Sequence, residues 1–192
     1  MNKFLKAAAL MVCATVLSAC ATTRIYVDPQ YHIASYESIR QLAAPMLVKV
    51  SVQLQLDGKP LLPAGDGELM GHVERTLRAS RVFTPTKNSK VPIELTVMAN
   101  KITDPAAARA KGFGPGLADG ATGSMIDDNY EFNFTYLSVN NHQPVQAAYF
   151  HAIHIAPAAS GVKATALNNA FGQVVEDVVL NFIKDLQDKG QV

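Results

Sequence analysis

Cysteine is nearly absent: of 192 residues only Cys13 and Cys20 carry a thiol, both within the first twenty positions. From Ala21 onward no side chain can form a disulfide, act as a thiolate nucleophile or bind a metal through sulfur. Stability there must come from an apolar core. Tryptophan is missing, and charged residues make up 17% of the chain with a net charge of +1. No basic patch or run stands out, so neither nucleic acid nor electrostatic binding to anionic lipid has support in the sequence. Long apolar runs are scarce as well. The stretch from Ala7 to Ala19 falls short of the ~20 residues that a membrane-spanning helix needs.

That stretch follows Lys3 and Lys6, the layout of a secretory signal peptide, and it closes on Leu17-Ser18-Ala19-Cys20. These four residues resemble the lipobox of bacterial lipoproteins. The alternative is an ordinary signal peptide with an incidental cysteine at its cleavage site. The resemblance implies that the peptide before Cys20 is removed, that its sulfur is diacylated and that its new amino group is acylated. With Ala21 next, rather than an aspartate, it also implies delivery to the outer membrane. One acyl chain binds a membrane only marginally, whereas several on one residue, at about 0.8 kcal/mol per buried methylene, hold firmly. The expected organisation is a signal peptide over 1–19, a lipidated tether over 20–44 and one periplasmic domain over 45–190. Removing Lys3 and Lys6 from seventeen basic side chains leaves fifteen against sixteen acidic ones, so the processed chain is near neutral.

Within the domain, MLVKVSVQLQL from Met46 to Leu56 alternates Val48, Val50, Val52, Leu54 and Leu56 with polar neighbours, which predicts a half-buried strand ending at the turn signal Asp57-Gly58. A helix capped by Asp66 and ending near Arg81 is expected next, with Leu69, Val73 and Leu77 on one side. Val91 to Thr103 reads as a strand with Pro92 at its start. Tyr130 to Val139 and Val145 to Ile155 read as a hairpin whose first strand gathers Tyr130, Phe132, Phe134 and Tyr136 on one face. From Lys163 to Asp188, Leu167, Phe171, Val174, Val178, Phe182 and Leu186 recur at helical spacing in a stripe wide enough to be buried against a sheet. The expected fold is α+β: a mixed or antiparallel sheet with two main helices packed on one face, in the order strand, helix, strand, loop, strand, strand, helix.

The chemistry-bearing patterns are weak. AKGFGPGLADGATGSMIDD, Ala110 to Asp128, concentrates five glycines. The third glycine is out of register for a dinucleotide fingerprint, no lysine follows Gly123 as a P-loop demands, and the next element is a strand rather than a helix. Gly112, Gly116 and Gly120 recur every four residues, but Pro115 and Asp119 interrupt that pattern. A flexible or tightly turned connector between strands, or a loop packed on the domain through Phe113, Leu117, Met125 and Ile126, fits better. Ser124 is not in a nucleophile elbow. His151 and His154, three apart on a strand, face opposite ways and cannot share a metal, while His32, His72 and His142 show no ligand spacing. Asp127, Asp128 and Glu131 lack the alternation of a calcium loop and read as turn-capping residues. No enzyme, cofactor or metal is expected.

An aromatic strand face opposite Glu131, Asn133 and Thr135 is also what transmembrane barrel strands show. In layout the chain resembles the curli-secretion lipoprotein, which implies a channel subunit as an alternative. The glycine segment followed by Asp-Asp-Asn-Tyr and an aromatic strand is similar to small uncharacterised lipoproteins of Gram-negative bacteria, over most of the processed chain. The function expected is a non-catalytic accessory module of the envelope, with an envelope hydrolase as a third reading. Cys20 is the expected lipidation site, and Phe113, Leu117, Tyr130, Phe132, Phe134 and Tyr136 are the expected contacts for an envelope protein partner.

Overall fold

The computed structural model describes residues 23–61, 63–113, 126–138, 143–157 and 167–192. The signal segment, Cys20, Leu117, Ser124 and His142 lie outside them. The described residues form a seven-stranded mixed sheet with helices. In chain order the elements are β1 (Thr23–Val27), β2 (Met46–Leu56), β3 (Lys59–Pro60), α1 (Pro63–Ser80), β4 (Phe83–Pro85), β5 (Glu94–Ile102), α2 (Pro105–Ala110), β6 (Ile126–Leu137), β7 (Val145–Pro157) and α3 (Leu167–Asp188).

The sheet runs β1-β7-β6-β5-β2-β3, with β4 beside the start of β2. Strand β2 lies parallel to both β4 and β5, and α1 forms part of the crossover between them. Every other pairing is antiparallel. The β2–β3 turn places Asp57 at φ 48° and Gly58 at φ 78°, the left-handed pair that a tight two-residue hairpin requires. Asp57 fixes the turn to the end of β5, accepting from the N–H and hydroxyl of Thr103 at 2.9 and 2.6 Å.

Both long helices cover one face. Strand alternation sends Val48, Leu95, Val97, Ala99, Phe132, Phe134 and Tyr136 into a core that Leu69, Val73 and Leu77 of α1 and Val174, Val178, Phe182 and Leu186 of α3 close from above. Phe182 stacks on Phe134 with centroids 4.6 Å apart and meets Tyr136 and Tyr149 at steeper angles. The other face carries more polar side chains; on it α2 packs Ala108, with Phe113 beyond it, against Ile102 and Phe150, and Tyr26, Ala152 and His154 are buried near β1.

Two sequence expectations need correction. The segment read as a tether is built into the fold, because β1 pairs along its whole length with β7 and Ala34 and Ile39 reach the core. The helix starts at Pro63, so Asp66 sits inside its first turn; its carboxylate accepts from the N–H of Leu54 at 2.6 Å and ties the helix to β2. Short β3, β4 and α2 also extend the simpler expected order.

Candidate functional site

The aromatic residues expected to meet a partner do not form a surface. Phe132 is 0% exposed, and Phe134, Tyr136 and Tyr130 are buried with it under the helices. Phe113 is buried against Phe150 on the opposite face, with ring centroids 5.0 Å apart. An aromatic face of this area would cost several kcal/mol to expose, so the sheet keeps it covered. Of the acidic residues beside the glycine segment, Asp128 pairs with Lys101 at 2.8 Å and Glu131 with Lys111 at 2.6 Å.

The unusual chemistry lies elsewhere, where the N-terminal segment crosses the last helix. Asp177, buried among the valines of α3, accepts from His151 Nε2 of β7 at 3.0 Å and meets His32 Nδ1 at 2.6 Å. One turn on, Asn181 accepts from the N–H groups of Ile33 and Ala34 at 3.2 and 2.8 Å and donates to the carbonyl of Tyr31 at 2.9 Å. Further along, Asp185 accepts from the Tyr149 hydroxyl at 2.5 Å, and Gln187 exchanges hydrogen bonds with the backbone of Arg40. The stripe at 177, 181 and 185 places these side chains one turn apart on the same side of α3. Asn181 and Gln187 satisfy backbone groups of Tyr31, Ile33, Ala34 and Arg40, which lie in no strand, and Asp177 holds the His32 ring, so together they clasp that segment onto the helix.

A second pair lies on the other side of β7. His154 Nε2 is 3.0 Å from Asp28, whose other carboxylate oxygen accepts from the N–H of Gln30. Burial would raise the Asp28 carboxyl, but the hydrogen bonds from His154 and Gln30 and the charges of His154 and His151 outweigh it and hold it below its ordinary 3.8. The two histidines thus go to different aspartates, as strand alternation requires. Among the described residues no group of three or more histidine, cysteine, aspartate or glutamate side chains is placed to hold a metal.

Between the helices, burial and then the charge of Glu176 push the Tyr36 hydroxyl up to about 12. His151 is 0% exposed and its ring lies against Tyr31 at 5.3 Å. These paired groups join β7, α3 and the segment after β1, with His32 at the exposed edge of the set. The sequence reading missed Asp28, His32, Asp177 and Asn181 as partners. The legible signal was Asp177 and Asn181 interrupting the valine and leucine stripe four residues apart.

No protein-family model matches the chain, and a comparison with curated proteins finds no relative. Solved structures with a related arrangement include a protein of the DUF330 family from Xanthomonas campestris (15% identity, TM-score 0.44, covering 80% of this chain and 96% of that one). They also include a PelC dodecamer from Paraburkholderia phytofirmans (13% identity, TM-score 0.38, 85% and 98%) and a DUF4136 protein from Bacteroides thetaiotaomicron (7% identity, TM-score 0.34, 87% and 95%). Similarities at this level assign the chain to no family.

Proposed function

We propose that this protein is a lipid-anchored accessory module of the bacterial outer membrane, facing the periplasm, that acts by contact with an envelope protein rather than by catalysis. The anchor is lipid on Cys20, as the lipobox resemblance implies. The observation that carries the reading is where the fold begins. Strand β1 starts at Thr23, three residues past Cys20, and is paired throughout with β7. An extended chain spans at most about 3.6 Å per residue, so lipid on Cys20 would hold this sheet within ~11 Å of its anchor point. Among the described residues no helix is long and apolar enough to cross a membrane.

His151 and His154 are buried and engaged with aspartates, which supports a role without catalysis. The buried aromatic face moves any contact with a neighbour to other parts of the surface. Substituting Cys20→Ala should abolish labelling by radioactive palmitate and release the protein from the membrane fraction. An unchanged membrane fraction would refute the anchor. The size of the detergent-extracted protein checks the second half of the reading, because a stable ring would instead favour a channel subunit.

A further inference from the structure

The strand register fixes which end of this sheet an anchor at Cys20 would hold. Thr23 pairs with Pro157, the last residue of β7, and Ile25 with Ile155, which pairs in turn with Ile126 at the start of β6. The end of β5 lies at the same end of the sheet, since Ile102 faces Asn129, three residues inside the start of β6. Beyond Ile102 the chain turns at Asp104, which caps α2 by accepting from the N–H of Ala106 at 2.8 Å, and α2 packs back on the polar face with Ala106 and Arg109 exposed. The Asp57-Gly58 turn is bonded to Thr103 beside it. At the opposite end are Leu137 and Val145, where β6 gives way to β7. Eleven residue steps along β6 lead from Ile126 to Leu137, a rise of about 36 Å.

We infer that the end of the sheet carrying the start of β1, the end of β7 and helix α2 faces the lipid surface, and that the β6–β7 hairpin end points away from it. The inference rests on the lipid anchor proposed above. The occupant of this end is the membrane itself, because a chain of three residues cannot carry the anchored end of β1 clear of the bilayer, whereas Leu137 lies farther off than that chain can reach. Arg109 and the Ala-rich exposed side of α2 suit a headgroup region, where a short apolar surface with a cation on it is tolerated.

The scarcity of cysteine makes the test direct. Once Cys20 is lipidated and Cys13 removed, an introduced cysteine is the one reactive thiol. Full-length Ala106→Cys and Leu137→Cys proteins, both at exposed positions, would each be labelled with a fluorophore. They would then be reconstituted in vesicles of phosphatidylethanolamine and phosphatidylglycerol containing nitroxide-headgroup lipid. Quenching at position 106 should exceed that at 137 several-fold, and each protein combined with Cys20→Ala should show none. Equal or reversed quenching in protein shown by mass spectrometry to carry lipid would overturn the orientation while leaving the anchor intact. Absence of lipid on Cys20 would overturn the anchor, and the orientation with it.

Discussion

The two faces of the central sheet are made by the same strands and have opposite fates. On β5 and β6, Leu95, Val97, Phe132, Phe134 and Tyr136 are at most 1% exposed beneath α1 and α3. Their immediate neighbours Glu94, Thr96, Glu131, Asn133 and Thr135 stand on the side away from the two long helices, where they are exposed or half-buried and keep contact with water. Alternation therefore identifies which residues travel together but does not say what lies over them. A row of aromatics on one strand face is compatible with a lipid-facing barrel strand, a partner surface or a helix-covered core. Here α3 decides among these, because its apolar stripe is wide enough to need a sheet, and Phe182 fills the space among Phe134, Tyr136 and Tyr149.

The largest effect expected is a break of that contrast at adjacent residues. Phe134→Ala removes a ring stacked on Phe182 and leaves a cavity, at a cost of about 4 kcal/mol. Thr135→Ala on the open side should change stability by no more than about 0.5 kcal/mol. Urea titrations of the two variants check this, and similar losses would mean that something also covers the polar face. Next in size is Asp177→Ala, which leaves His151 buried and unpaired and should cost about 3 kcal/mol. The same change releases His32 from the helix, so proteolysis between Asp28 and Ile39 should quicken more than the global loss alone accounts for. Cleavage that merely tracks global unfolding would sink the role of clasp.

Legibility followed the length of each pattern. Strand β2 was readable to the residue, because eleven positions alternate and Asp57-Gly58 ends them. Helix α3 was readable from its stripe, and the hairpin from its paired runs. Strand β1 was not, because TRIYV is five residues long and its partner lies more than 120 positions away. Its neighbour Asp28-Pro29 looked like a turn and is one, yet the same carboxylate also meets His154. Helix α2 left a fair signal that went unread, an Asp104 cap followed by Pro105 at the first helical position. The clasp was hidden for a different reason. Its members come from positions 28–40, 149–154 and 177–187, and no local spacing announces that a topology will bring them together.

A smaller effect than that of Phe134 or Asp177 sharpens the comparison on its polar side, where Asp28 and His154 lie opposite the His151 and Asp177 pair. Because the folded protein holds the Asp28 carboxyl below its ordinary 3.8, the ionised form is favoured by folding. An acid whose pKa is depressed contributes stability above the unfolded pKa and loses it as pH falls through the folded value. Asp28→Asn should therefore cost about 1.5 kcal/mol at pH 7, the worth of a hydrogen bond to a charged group, through the loss of carboxylate contacts to His154 and Gln30. Below pH 3.8 the gap between variant and parent should shrink, since the parent is then losing the same charge. Chemical denaturation of both proteins at neutral and acid pH reads this directly. A gap that stays constant across the range would mean that Asp28 holds β1 to β7 by its shape and neutral hydrogen bonds, and that its charge adds nothing.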